Sequence, residues 1–121
     1  AINGAVFEVN RVLGPGFLEK VYENALLIEL KSRGLEAESQ VPIQVLYKDD
    51  VVGEYLADIL VEERVIVELK TVTSMEKIHE AQLLNYLKAT GLNIGMLVNF
   101  RHPNAEIKCM VLNLPEGHDW Q

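Results

Sequence analysis

Cysteine is almost missing from this 121-residue chain. A single residue, Cys109, rules out an internal disulfide framework and fits a reducing compartment. Its neighbours, Ile107-Lys108 before it and Met110-Val111-Leu112 after it, read as a strand, so the thiol is expected to be buried rather than nucleophilic. Long apolar runs are also missing. Although 49% of the residues are hydrophobic, no run approaches the length of a membrane span. No signal peptide is visible, and the start at Ala1 suggests a trimmed or incomplete N-terminus. Repeats and low-complexity segments are absent. These absences predict a soluble, cytoplasmic chain forming one domain over residues 1–121, long enough for a proper core.

Positive charge is scarce as well. The net charge is −7, which argues against nucleic-acid binding. Its distribution weakens that argument. Residues 35–69 hold nine acidic and two basic residues and supply the whole surplus, while the remainder balances. Bound cations would offset part of it there. With no dense basic stripe, the expectation is weak or non-specific nucleic-acid affinity, or a partner that supplies the positive surface.

Within that acidic segment lies the stretch around which the chain is organised. Val65 to Lys70 is β-branched and apolar, the mark of a buried strand, yet Glu68 and Lys70 interrupt it. Alternation puts those two on one side with Leu69 opposite. An unpaired charge in such a strand is costly unless a partner or metal compensates it. Asp58 sits in a similar setting, between Tyr55-Leu56-Ala57 and Ile59-Leu60-Val61. A hairpin turning near Glu62 to Arg64 would bring Asp58 back beside Glu68 and Lys70. Two carboxylates suit Mg²⁺ or Mn²⁺, which keep positions for water and phosphate oxygens. A lysine alongside can orient a water or neutralise a phosphate. The alternative is a buried Lys–Glu pair in a hairpin with Asp58 near a turn, and spacing leaves both open.

Elsewhere, Ile2, Val6, Val9 and Leu13 have helical spacing, and Gly14-Pro15-Gly16 stops that helix. Phe17 to Arg33 reads as a long amphipathic helix with Phe17, Val21, Ala25, Ile28 and Leu30 mostly inward and Gly34 at its C-terminal end. Glu19, Tyr22 and Glu23 share one face near its start. Glu19 alone is an ordinary first-turn glutamate, favoured by the helix dipole.

Leu35 to Tyr47, Val51 to Glu62 and Val65 to Val72 are expected strands of an antiparallel meander, with a turn at Lys48-Asp49-Asp50 and an edge or irregularity at Pro42. Ser74 is a candidate cap for a helix over Met75 to Thr90, ending at Gly91. Gln82 and Tyr86 share a face of it and could hydrogen-bond a phosphate and position a base; the alternative is an exposed Gln beside a half-buried Tyr. His79-Glu80 is half of a zinc-protease motif, but Leu83 replaces the second His, which excludes it. Asn93 to Phe100 is an apolar, central strand, parallel to the one holding Glu68. Ile107 to Leu114 is a last strand, and the tail is polar except for Trp120.

Gly16-Phe17-Leu18-Glu19-Lys20-Val21-Tyr22 resembles the signature of the GxxExxY proteins, a group within the PD-(D/E)XK nuclease-like superfamily. The resemblance runs from the first helix to about Val111. It implies a restriction-endonuclease-like α/β sandwich with a mixed central sheet, ordered helix, β-meander, helix and two further strands. The motif Asp, spacer, Glu-x-Lys falls on Asp58, Glu68 and Lys70. By that resemblance Asp58 and Glu68 would bind Mg²⁺ (or Mn²⁺), the carbonyl of Leu69 and the carboxylate of Glu19 would add to the site, and Lys70 would act on the attacking water. Gln82 to Tyr86 resembles the QxxxY motif of RecB-like exonucleases, which faces the site. One departure stands at Asn10, where many family members carry a His. The resemblance implies a metal-dependent nuclease acting on nucleic acid, DNA before RNA, and makes a homodimer an expectation to test. A nuclease fold kept as a non-catalytic interaction module is the alternative, since fold alone does not establish activity.

Overall fold

The computed structural model describes residues 1–112; Leu114 and Trp120, noted above, lie outside them. Its elements run α1 (Ile2–Leu13), α2 (Glu19–Ser32), β1 (Ala37–Tyr47), β2 (Asp50–Val61), β3 (Val65–Lys70), α3 (Lys77–Thr90), β4 (Ile94–Asn99) and β5 (Glu106–Val111). One sheet holds the strands in the order β1-β2-β3-β4-β5. All neighbours are antiparallel except β3 and β4, which are parallel and joined through α3. Helices α1 and α2 cover one face, with Val6, Val9, Leu26 and Leu30 packed on Ile59, Val67 and Val98. Helix α3 covers the other, with Leu83, Tyr86 and Leu87 on Ile43, Ile66 and Leu97. The result is the expected mixed α/β sandwich of restriction-endonuclease type.

Glycine does specific work at two places. Gly14 and Gly16 have φ of 69° and 108°, so they turn the chain from α1 into α2 in backbone conformations that L side chains rarely adopt. Tyr22 holds this turn: its hydroxyl donates to the Gly14 carbonyl at 2.6 Å and accepts the Phe17 N–H at 3.2 Å. Its ring stacks on Phe100 at 4.5 Å. The Gly-x-x-Glu-x-x-Tyr spacing thus carries a local structural reason. On β4, a Cβ at Gly95 would lie 2.8 to 2.9 Å from the Leu83 side chain, so this glycine lets α3 settle closely on the sheet.

Three expectations are corrected. The inward stripe of α2 is Tyr22, Glu23, Leu26 and Leu30, whereas Phe17, Val21 and Ile28 are exposed. Tyr22 can face inward because its hydroxyl is satisfied by the glycine turn, and that rotates the stripe. Helix α3 is capped by Glu76 rather than Ser74, through a capping box in which His79 Nδ1 accepts the Glu76 N–H at 3.0 Å. Cys109 is exposed, because β5 is an outer strand and the core under α1 and α2 reaches only as far as Ile107.

Candidate active site

The two hairpin turns flanking β2 have positive φ at both central residues, Lys48 and Asp49 in one, Glu62 and Glu63 in the other. Such turns match the twist of the strands they join. From the second turn, β2 and β3 pair as Val61 with Val65, Leu60 with Ile66 and Ile59 with Val67, and there the ladder ends. One step further the side chains take over. The Asp58 N–H donates to Glu68 Oε2 at 2.7 Å, and the Leu69 N–H donates to Asp58 Oδ2 at 2.8 Å.

The other flank of Asp58 is irregular too. On β1, Ser39 pairs with Ile59 and Val41 with Ala57, while Gln40 and Asp58, which fall opposite each other in an unchanged register, drop out of the pairing, and Gln40 has φ 54°. Side-chain parity switches at that point. Ala37, Ile59 and Val61 face α1 and α2, while Val41, Ile43 and Ala57, also at odd positions, face α3. A one-residue step in parity inverts the faces of a strand, and both strands take it together at Gln40 and Asp58. Here it curls the outer half of the β1–β2 ribbon over α3 and leaves Asp58 at the bend.

Burial and like charge dominate the electrostatics. Glu68 is 6% exposed, and its carboxyl is pushed up to about 8, first by burial and next by the charge of Asp58; the Asp58 N–H and Lys70 oppose this. The Asp58 carboxyl is also raised, first by burial, against the Leu69 N–H, with Glu23 and Glu19 adding negative charge and Lys70 relieving it. From α3, the Gln82 amide donates to the Tyr86 hydroxyl at 3.1 Å. The Tyr86 phenol is raised by burial and then by the charge of Glu68, which puts it within reach of the carboxylates.

Asp58, Glu68 and Lys70 thus lie within electrostatic range of one another, Tyr86, bonded to Gln82, lies within range of both carboxylates, and Glu19 lies exposed at the start of α2 within the same range. Among the described residues, no three His, Cys, Asp or Glu side chains form a group that could hold a metal ion unaided, so Glu19 does not complete such a trio. Glu23 is a buried acid of the site region that sequence reasoning left without a role. It is 4% exposed, and its two oxygens accept from the Gln40 amide at 3.0 and 2.9 Å and from Lys20 at 3.0 Å. Its helical face with Glu19 and Tyr22 was the available signal. Asn99, fully buried at the end of β4, ties down the segment after Lys70 through the Val72 N–H at 3.1 Å and the Val72 carbonyl at 2.8 Å. Asn10 donates to the Pro103 carbonyl at 2.9 Å, which gives that position a structural role.

A family model described as PD-(D/E)XK nuclease superfamily matches residues 1–110. The chain belongs to that superfamily. Among solved structures, the crystal structure of SSO0001 is similar to this PD-(D/E)XK chain with a TM-score of 0.61 and 22% identity. The likeness covers 80% of this chain and 51% of that one, so the chain spans about half the length of its solved relative, and it speaks to the fold alone. No curated protein matches the sequence. Among the described residues, no helix of this PD-(D/E)XK chain is long and apolar enough to cross a membrane.

Proposed function

We propose that this chain is a metal-dependent nuclease of the GxxExxY group that hydrolyses phosphodiester bonds in DNA, in preference to RNA. The observation that carries the proposal is the end of the β2–β3 ladder, where two carboxylates sit together, short of positive charge, on rigid strands. The hydrogen bonds from Asp58 and Leu69 take Oδ2 of Asp58 and Oε2 of Glu68. Oδ1 and Oε1 are left for a ligand. Mg²⁺ is commonly held by one or two carboxylates with waters and substrate phosphates completing its shell, so a pair of carboxylates with no third fits Mg²⁺ or Mn²⁺. Asp58 and Glu68 would hold the ion, with the Leu69 carbonyl as a further donor and Glu19 acting from outside. When bound, it would lower the pKa of a coordinated water and offset charge on the phosphate.

The remaining work falls to the chain's own groups. Lys70 shares the strand face of Glu68 and would orient the attacking water and neutralise the scissile phosphate. The Gln82–Tyr86 pair offers an amide and a hydroxyl to position the strand being cut. A reducing, cytoplasmic setting and a homodimer go with this reading.

Cleavage of labelled DNA in Mn²⁺ by wild type, Asp58→Asn and Lys70→Ala tests it, with circular dichroism as the check on folding. Either substitution should lower the rate by ~1000-fold with the fold kept. Calorimetric Mn²⁺ binding should vanish in Asp58→Asn. Variants that cut like wild type would remove these residues from the chemistry. Metal-independent partner binding with no cleavage by wild type would favour the non-catalytic module instead.

A further inference from the structure

Between the outer β1–β2 ribbon and α3, with Tyr86 on its wall, lies a cleft of about 710 Å³. Its walls include Leu46 and Tyr55 from the ribbon and Ile78, Gln82, Asn85 and Tyr86 from α3. We propose that this cleft receives one unpaired nucleobase of the strand to be cut, which makes single-stranded DNA the substrate. The inference deepens the nuclease reading and rests on it.

Four observations carry it. The volume suits a nucleotide-sized ligand, since pockets for small molecules run from about 300 to 1,000 Å³. Tyr55 is 48% exposed, while the ring it leans on, Tyr86, is nearly buried at a centroid distance of 5.5 Å and a tilt of 44°. Tyr55 thus leans on a buried ring and keeps about half of its surface free at the cleft, an exposed aromatic on which an unpaired base can stack. Gln82 and Asn85 place amides along the same wall, where they can meet the edges of a base. Lys88 adds a cation for the adjoining phosphate.

The second consideration is continuity with the site. Tyr86 lines the cleft and lies within electrostatic range of Glu68 and Asp58, with Gln82 bonded to its hydroxyl, so a base held there would direct its sugar-phosphate towards the carboxylates. Charge then discriminates against duplex. The ribbon wall belongs to the acidic segment 35–69, which carries the chain's negative surplus. A duplex would bring two phosphate backbones against it with no basic stripe to receive them. An unpaired base is uncharged and gains its affinity from stacking.

Fluorescence anisotropy with a short oligothymidylate, the corresponding duplex and an oligouridylate, all in EDTA, separates binding from cleavage. The wild type should bind the single strand at least about tenfold more tightly than duplex. Tyr55→Ala should weaken that binding by about 5- to 150-fold, the equivalent of one lost stacking contact, and Tyr55→Phe should restore it. Tyr55→Trp should show emission quenched by the single strand but not by duplex. Duplex bound as tightly as single strand, or Tyr55→Ala binding like wild type, overturns the inference. Tighter binding of oligouridylate than of oligothymidylate overturns its DNA part.

Cleavage assays in Mn²⁺ keep the two claims apart. Asp58-dependent cutting of duplex with no response to Tyr55→Ala would sink the cleft and spare the nuclease reading. Tyr55-dependent binding with no cutting of any strand would support the base site and sink the nuclease reading.

Discussion

At its turn end the β2–β3 hairpin is held as most hairpins are: Val61, Leu60 and Ile59 pair through the main chain with Val65, Ile66 and Val67, and apolar side chains seal both faces. At its open end, one residue further along each strand, the same hairpin is held by carboxylates that accept main-chain N–H groups. Both ends satisfy their backbone donors, as buried chains must. They differ in what the solution leaves behind. The turn end leaves only packed hydrocarbon. The open end leaves two carboxylates fixed on strands and short of cations. A group that replaces a ladder bond is positioned by folding itself, which is how a sheet can hold a reactive site without a mobile loop.

The contrast can be broken first from the turn end. Ile66 is fully buried against α3, and Ile66→Ala should cost ~2–5 kcal/mol of stability through lost burial and the cavity left behind. Below its lowered melting temperature, the variant should keep wild-type Mn²⁺ affinity in calorimetry, because the pair of carboxylates is set by its own hydrogen bonds. Lost metal affinity in a folded Ile66→Ala protein would show that the two ends are not separable.

The open end should announce itself through pH. The Glu68 carboxyl titrates at about 8 in the folded chain against an ordinary value of 4.5. Between those values the folded state keeps a proton that the unfolded state has released, so stability falls as pH rises from 4.5 to 8 and flattens above. In EDTA, Glu68→Gln removes the share of that slope due to Glu68 and leaves the share due to Asp58, whose carboxyl is also raised by burial. It should match wild type below pH 4.5, yet exceed it above pH 8 by on the order of a few kcal/mol, as read by urea denaturation across pH. Equal slopes for the two proteins would mean that Glu68 is ionised throughout. A divalent cation should reverse the preference, because it binds the deprotonated pair and so binds more tightly as pH rises.

Much of this was legible in the chain. Apolar periodicity gave all eight elements within a few residues, because helices and strands with one buried face must write that face into the sequence. Asp58, Glu68 and Lys70 stood out because charges inside apolar strands need a reason. What stayed hidden depends on tertiary placement. The parity switch leaves no trace, since Ala37, Val41, Ile43 and Val45 keep one alternation straight through Gln40, and Gln is not a residue that marks left-handed backbone. The difference between Glu19 and Glu23 was equally silent. Both lie on one helical face, and only the position of Gln40 on the neighbouring strand decides that Glu23 is the buried one.

The smallest expected effect tests that hidden junction. Gln40 does two things at the bend: its backbone takes φ 54°, and its amide donates to Glu23. Gln40→Ala keeps the strained backbone and loses the amide, leaving Glu23 to Lys20 alone. Gln40→Gly loses the same amide but relieves the backbone, which for a left-handed L residue costs roughly 1–2 kcal/mol. The loss of the bond to a carboxylate is common to both variants, so their difference isolates the conformation. Glycine should therefore be the more stable of the two by about 1 kcal/mol in urea denaturation, although both fall below wild type. If alanine proves as stable as glycine, the residue opposite Asp58 is not left-handed in solution. The ribbon would then keep a single parity through that point, and the outer strands could not both face α3 and release Asp58 from the ladder.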